Sequence, residues 1–197
     1  MAERAHPDDS GFKNKFFGFK KNPYQEALKN RYNYCNDYIQ NKVVIDIPCG
    51  TGWGTAMLKG YKKITGIDIS EEAIEFAKKR YPLPNVDFTT GSMEKIDMDD
   101  NSLDVVICLE GFEHVEKEIG IKFLNEAKRV LKNKGLIIMT SPVLDENGKG
   151  SGNPYHLCEY PEKELRELLD KKFNVIKFKK VDGPELPIVY FVGENNK

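Results

Sequence analysis

The sequence predicts a doubly wound α/β domain. Short apolar runs alternate with amphipathic segments through most of its 197 residues, and the last two runs are joined too tightly to lie parallel. The segment from Pro23 to Ile39 starts on a proline and gathers Tyr24, Ala27, Leu28, Tyr34 and Ile39 near one helical face, so a helix precedes the first strand. Val43 to Ile47 is the first strand, Trp53 to Leu58 a helix, Lys63 to Ile67 the second strand and Glu71 to Arg80 the helix after it. Val86 to Thr90 and Leu103 to Leu109 are the third and fourth strands, Glu116 to Leu131 is a long amphipathic helix, and Gly135 to Thr140 is the fifth strand. Such continuous apolar runs belong to a parallel sheet covered on both faces. Pro161 to Lys171 is a further helix, and Asn174 to Lys180 and Leu186 to Val192 form a hairpin about Asp182-Gly183-Pro184. The expected sheet has seven strands, mostly parallel, ending in an antiparallel hairpin.

Composition narrows the function. Thirty Lys and Arg against thirty-one Asp and Glu leave a net charge of −1, without the basic field that sequence-independent nucleic-acid binding uses, so nucleic acid is disfavoured as a partner. No apolar run approaches the roughly 20 residues of a membrane span, and the polar start MAERAHPDDSGF is unlike a signal peptide, which predicts a cytoplasmic protein with no membrane partner. Cys35, Cys49, Cys108 and Cys158 lie far apart without a Cys-x-x-Cys pair, so neither a zinc knuckle nor a disulfide framework is spelled.

The glycine loop VVIDIPCGTGWGT follows the first strand and opens a helix, where Gly50 and Gly52 permit close approach of a ligand to the backbone. Thr55 stands where the dinucleotide fingerprint has its third glycine, which disfavours pyrophosphate and with it a nicotinamide oxidoreductase. Asp46 ends the first strand and Asp68 the second, where a carboxylate can hold both hydroxyls of a ribose. Two acids beside a glycine loop describe a nucleoside without phosphates. The alternative is a tight turn, with Asp68 capping the helix at Ser70-Glu71.

The stretches DIPCGTGWGT, GIDIS, TTGSMEKIDMDDNSLDVVICLE and FLNEAKRVLKNKGLIIMTSP, in that order, resemble the class I S-adenosylmethionine-dependent methyltransferases of the type 11 group, a Rossmann-like family, over about residues 40 to 193. The resemblance implies S-adenosyl-L-methionine as cofactor. It places Asp46, Gly50, Thr51 and Gly52 at the methionine end, Asp68 on the ribose, Ile69 against the adenine, Ser92 and Met93 at the adenine edge, and Leu109 near the sulfonium. Pro48, also counted at the cofactor, stands where the family more often has glycine, and it removes an N–H and fixes φ. Residues 1–40 are then an arm and helix capping the substrate, the aromatic and basic stretch FKNKFFGFKK closing as a lid or stacking on bases, and residues 41–197 are the cofactor-binding domain.

LEGFEHV places Glu110, Glu113 and His114 at the carboxyl end of the fourth strand, facing the crevice where ligands of open α/β sheets bind. His114 is the candidate general base for methylating a hydroxyl, with Glu113 or Glu110 orienting it. His156 and Tyr155, in the loop after the fifth strand, are candidate substrate contacts. Glu110, Glu113, His114 and His156 also resemble the Glu-x-x-Glu-His plus distant His set of small-RNA 3′-end 2′-O-methyltransferases, which implies a divalent metal as an alternative; a silent nucleoside-binding scaffold is the non-enzymatic one. The Arg-Tyr helix and the Asn-Pro-Tyr-His loop resemble methyltransferases of glycan and sugar biosynthesis, favouring a small-molecule or sugar-like acceptor. Arg31 is expected on the exposed side of its helix, with reach to the cofactor's carboxylate the other reading for it or Tyr32. Tyr160 is read equally as an acceptor contact or as core.

Overall fold

Burial on both faces of the central strands organises the chain. In the computed structural model, residues 23–183 and 186–197 are described. The elements in order are α1 (Pro23–Cys35), β1 (Val43–Asp46), α2 (Trp53–Met57), β2 (Lys63–Asp68), α3 (Glu71–Arg80), β3 (Val86–Thr90), β4 (Leu103–Leu109), a 3-10 turn (Phe112–His114), α4 (Lys117–Val130), β5 (Leu131–Pro142), α5 (Glu162–Asp170), β6 (Asn174–Val181) and β7 (Ile188–Glu194). One sheet runs in the order β3-β2-β1-β4-β5-β7-β6. Strands β1 to β5 pair in parallel, and β7 runs antiparallel between β5 and β6. The expected Rossmann-like α/β sheet is therefore present, with its C-terminal hairpin.

Alternate side chains of the same strands enter two cores. Ile45, Val106 and Cys108 pack with Phe123 and Leu124 of α4 and Leu165 and Leu169 of α5. Val44, Val105, Ile107 and Leu109 pack with Leu28 and Tyr32 of α1 and Trp53 of α2. This double burial is why the strands read as unbroken apolar runs. The strand order reverses between β1 and β4, and a crevice opens there beyond their carboxyl ends.

Several local expectations shift. Helix α1 ends at Cys35, and its buried side chains are Leu28, Arg31, Tyr32 and Cys35, spaced i, i+3, i+4, i+7. Tyr34 lies off that face, its ring 5.3 Å from those of Tyr38 and Tyr190. Arg31 is thus not exposed: it is 2% accessible and belongs to the face that packs on the sheet. The fifth strand starts at Leu131, earlier than its apolar centre, because Leu131 already pairs with Leu103 ahead of a register shift. A 3-10 turn follows β4, and β7 starts at Ile188, two residues later than expected, where it pairs with Pro142 and Val181. Of the 1–40 arm and helix, residues 1–22 lie outside the described residues, as do Pro184 of the hairpin turn and Glu185.

Helix α1 seats on α2 at one point of close approach. A Cβ on Gly54 would fall 2.0 Å from Tyr32 Cζ, inside a ring that is itself buried. Gly54→Ala should therefore lower the urea midpoint at constant m-value by the equivalent of about 1–3 kcal/mol. An unchanged midpoint would contradict this seating of α1.

Candidate functional site

A cavity of about 960 Å3 occupies the crevice. The loop after β1 contributes Pro48, Cys49 and Gly50, and the end of β2 contributes Asp68 and Ile69. Ser92 and Met93 follow β3, while Leu109, Glu110, Glu113 and His114 follow β4. The far wall is the loop after β5, with Ser151, Asn153, Tyr155 and His156, and α1 adds Leu28, Arg31 and Tyr32.

At one end the backbone is organised by Asp68. Its Oδ2 accepts from Gly50 N at 2.8 Å and its Oδ1 from Ser70 N at 2.9 Å, so a single carboxylate ties the glycine loop to the start of α3. The cap of α3 is Ser70, whose Oγ accepts from Ala73 N at 3.2 Å, and not Asp68. Gly50 has φ +55°, and among the described residues no atom beyond its own and those of its chain neighbours lies within 4 Å of where its Cβ would stand, so the loop turns an open backbone surface outward. Ile69 projects beside it, 75% exposed. Ser92 Oγ accepts from Glu94 N at 3.1 Å, which fixes the turn carrying Met93.

Three residues assigned to the cofactor do not line the cavity. Asp46 is fully buried beneath the loop, its Oδ2 accepting from Thr55 Oγ1 at 2.6 Å. Gly52 is turned toward Ala77 and Phe88, and the buried Oγ1 of Thr51 has no hydrogen-bond partner among the described residues. Asp46 acts as the floor of the loop rather than its lining.

The other end is a cluster of acids and imidazoles. Glu110 has φ +50°, a left-handed conformation that costs a non-glycine residue and that tertiary contacts must hold. Its Oε1 accepts from Thr140 Oγ1 at 2.7 Å and lies 3.4 Å from Arg31 Nε. Arg31 Nη1, buried on the cavity wall, has no partner among the described residues. Glu113 is 1% exposed; burial, and then the charge of Glu110, push its carboxyl well above the usual range. The Glu113 carbonyl accepts from Leu157 N at 2.8 Å and from Cys158 N at 3.1 Å, fastening the far wall to the 3-10 turn.

His114 Nδ1 lies 3.0 Å from the Tyr155 carbonyl, which can only accept; in the neutral ring the proton is therefore on Nδ1, and Nε2 keeps the lone pair. The rings of His114 and His156 meet edge to face with centroids 4.9 Å apart. One ligand atom from each of Glu113, His114 and His156 lies within 4.8 Å of the others, whereas Glu110 is held apart by Arg31 and Thr140. Of the expected four-residue set, three converge. Tyr155 is 45% exposed at the cavity mouth, while Tyr160 is core, stacked on Phe112 with centroids 5.7 Å apart. No helix among the described residues is long and apolar enough to cross a membrane.

Sequence reasoning missed the burial of Arg31 and the whole of Glu159, which bonds His156 and Ser151. The first was readable in the spacing of Leu28, Arg31, Tyr32 and Cys35, and the second in the i, i+3 spacing of His156 and Glu159. Burial alone would raise the Glu159 carboxyl, but the hydrogen bonds from Ser151 and His156 bring it below its ordinary value.

Burial likewise pushes the Asp46 carboxyl from 3.8 up to about 7, against the opposing hydrogen bonds of Thr55 and Tyr32. A carboxyl raised in this way contributes most below its unfolded value and loses that contribution as pH climbs to the folded one, because the unfolded chain releases its proton first. The unfolding free energy of the wild type relative to Asp46→Asn should therefore fall by up to about 4 kcal/mol between pH 4 and 7. Denaturant melts of both proteins across that range check it; a constant difference would show an ordinary carboxyl.

Residues 45–139 match the methyltransferase-domain family. A probable S-adenosylmethionine-dependent methyltransferase of Mycolicibacterium smegmatis is 29% identical over 64% of this chain and 49% of its own length. A phthiotriol/phenolphthiotriol dimycocerosates methyltransferase of Mycobacterium tuberculosis is 35% identical over 48% of this chain and 35% of its own. The chain thus spans about half the length, or less, of the curated relatives it matches. Among solved structures, a methyltransferase in complex with the Trm112 activator of Haloferax volcanii superposes with TM-score 0.74 at 17% identity, covering 96% of this chain and 94% of that one. An Aquifex aeolicus S-adenosylmethionine-dependent methyltransferase gives 0.69 at 24% identity, covering 96% and 99%. The [4+2]-cyclase SpnF gives 0.75 at 18%, covering 91% and 84%. With the glycine loop, Asp68 and the strand order in their places, residues 45–139 of this chain form a methyltransferase domain on a fold shared with these structures.

Proposed function

We propose that the protein transfers a methyl group from S-adenosylmethionine to an oxygen of a small polar or sugar-like acceptor, with His114 as general base. The observation that carries this reading is the hydrogen bond from Nδ1 of His114, a residue that lines the cavity, to the Tyr155 carbonyl, which in the neutral ring leaves the lone pair on Nε2.

The cavity fits the cofactor on two counts. Arg31 Nη1 is a buried donor without a partner among the described residues, suited to the carboxylate of a methionine moiety. The backbone at Gly50 is open at the other end, beside Asp68 for the ribose hydroxyls and Ile69 and Met93 for the base. Bound there, S-adenosylmethionine supplies a methyl on a sulfonium, whose departure leaves a neutral thioether. The residues of this chain orient the acceptor and take its proton: Ser151, Asn153 and His156 present polar groups, Val115 and Ile119 contact carbon, and His114 Nε2 accepts the hydroxyl proton. Glu113, pushed toward its neutral form by burial, offers a hydrogen bond rather than a second charge. The near-zero net charge supports a small acceptor over a nucleic acid.

Calorimetric titration should show S-adenosylmethionine and S-adenosylhomocysteine binding, and absence of binding at millimolar cofactor would end the proposal. His114→Ala should lower kcat by about 10²–10⁴-fold while leaving cofactor affinity within a factor of two or so. A silent scaffold would have no turnover to lose.

The convergence of Glu113, His114 and His156 favours a second reading, in which these three hold a divalent cation that polarises the acceptor oxygen. Turnover that stops with a chelator and returns with added magnesium or manganese selects it; turnover indifferent to chelation leaves His114 as the base.

A further inference from the structure

The loop after β5 contains a carboxylate–imidazole couple whose acid, Glu159, neither reading above employs. His156 Nδ1 and Ser151 Oγ both bond Glu159 Oε1, Ser151 Oγ lies 3.1 Å from His156 Nδ1, and Ser151 N donates to Glu159 Oε2 at 2.9 Å. Side-chain accessibilities of 13% for His156 and 9% for Glu159 keep the pair largely out of water, where such a bond is stronger than at the surface. Both carboxylate oxygens are used, so the group is fixed in position as well as in partner. A Cβ on Gly150 would lie 2.2 Å from Glu159 Oε2, so the backbone of the loop closes directly over the carboxylate.

We propose that Glu159 is a positioning residue: it holds the proton of His156 on Nδ1 and so presents the Nε2 lone pair of His156 to the cavity, beside that of His114, as a second acceptor for the hydroxyl-bearing substrate.

The proposal follows from donor and acceptor counting. A carboxylate accepts only, so the ring nitrogen facing it carries hydrogen, and the other nitrogen of a neutral imidazole must then be the acceptor. The same logic, with the Tyr155 carbonyl in place of Glu159, sets His114. The two rings, with centroids 4.9 Å apart, are thus held by two different partners in the same tautomer. A pair of neighbouring lone pairs binds what carries hydrogen, a hydroxyl, and repels what carries only lone pairs, an ether or a carbonyl. The methylated product has lost that hydrogen, so the arrangement discriminates against retaining it. Holding an imidazole through its remote nitrogen also fixes ring orientation, which free rotation about χ2 would otherwise spread.

The inference rests on the proposed methyl transfer for its role, but its geometry is testable without turnover. Long-range proton–nitrogen correlation spectra of the whole, cofactor-free protein report which nitrogen of each histidine is protonated. His156 should appear in the Nδ1–H form in the wild type. In Glu159→Ala, and more completely in Glu159→Ala combined with Ser151→Ala, it should shift toward the Nε2–H form that a free imidazole prefers. A wild-type His156 protonated on Nε2 overturns the proposal without any variant having to fold, and an unchanged Nδ1–H form in the folded double variant overturns it too. Once an acceptor is identified, Glu159→Ala should lower kcat/KM for it by about 10- to 100-fold with cofactor affinity unmoved. A tautomer shift without loss of kcat/KM would confine Glu159 to loop structure and overturn its positioning role. Wild-type protein that methylates nothing, yet shows the tautomer and its shift, would refute the methyl-transfer reading while leaving the Glu159–His156 couple in place.

Discussion

The site depends on how this fold keeps four carboxyl groups close together at the carboxyl ends of three parallel strands. Asp46 and Glu113 are essentially inaccessible, Asp68 is 8% exposed and the Glu110 side chain 15%. Four buried charges of one sign would cost far more than the domain's whole stability. Each has a different escape. Asp68 is satisfied by two backbone N–H groups, Glu110 by Thr140 and the Arg31 guanidinium, and Asp46 and Glu113 are pushed by burial toward their neutral forms. The acids are therefore accommodated in different ways although alike in type.

That division assigns the two ends of the cavity. Asp68 organises the glycine loop and remains an acceptor on the cavity wall, as a ribose requires. Glu110 fixes Arg31, whose free Nη1 makes the wall between the ends a donor. Glu113 is fixed twice, by its buried side chain and by its carbonyl, which receives Leu157 N and Cys158 N. Removing α1 would leave Glu110 without its cation, so the helix before the sheet belongs to the site and is more than a cover for it.

The fold was legible because both faces of β1 and β4 are buried, which writes the strands as unbroken apolar runs. The loop at Gly50 and the acid at Asp68 were legible because strand context makes such residues meaningful. The burial of Arg31 is written in the same spacing, since Leu28, Tyr32 and Cys35 share its side, but a charged residue in a polar-looking helix reads as solvent-facing until that side is traced. Asp46 was placed at the right strand end but the wrong depth: the sequence says that it precedes the loop, not that Thr55 reaches back to cover it. Glu159 escaped notice because a histidine and an acid three apart usually lie on a helix, whereas here they fold into a loop around Ser151.

Shape alone does not carry the chemistry. A [4+2]-cyclase superposes on this chain as well as the methyltransferases do, so what separates these proteins lies in side chains and not in the sheet. In this chain the proposed cofactor end is built by loops after β1, β2 and β3, the first of which Asp68 and Asp46 tie down through Gly50 N and Thr55 Oγ1. The proposed acceptor end is built by the 3-10 turn and the loop after β5, joined by the Glu113 carbonyl and the His114–Tyr155 bond. Within the described residues, the Arg31–Glu110 pair links α1 to the residue that follows β4. On the proposed reading, rebuilding residues 145–160 changes the acceptor while the cofactor end stays as it is, and the Glu159–His156 couple, internal to that loop, travels with the acceptor and not with the cofactor.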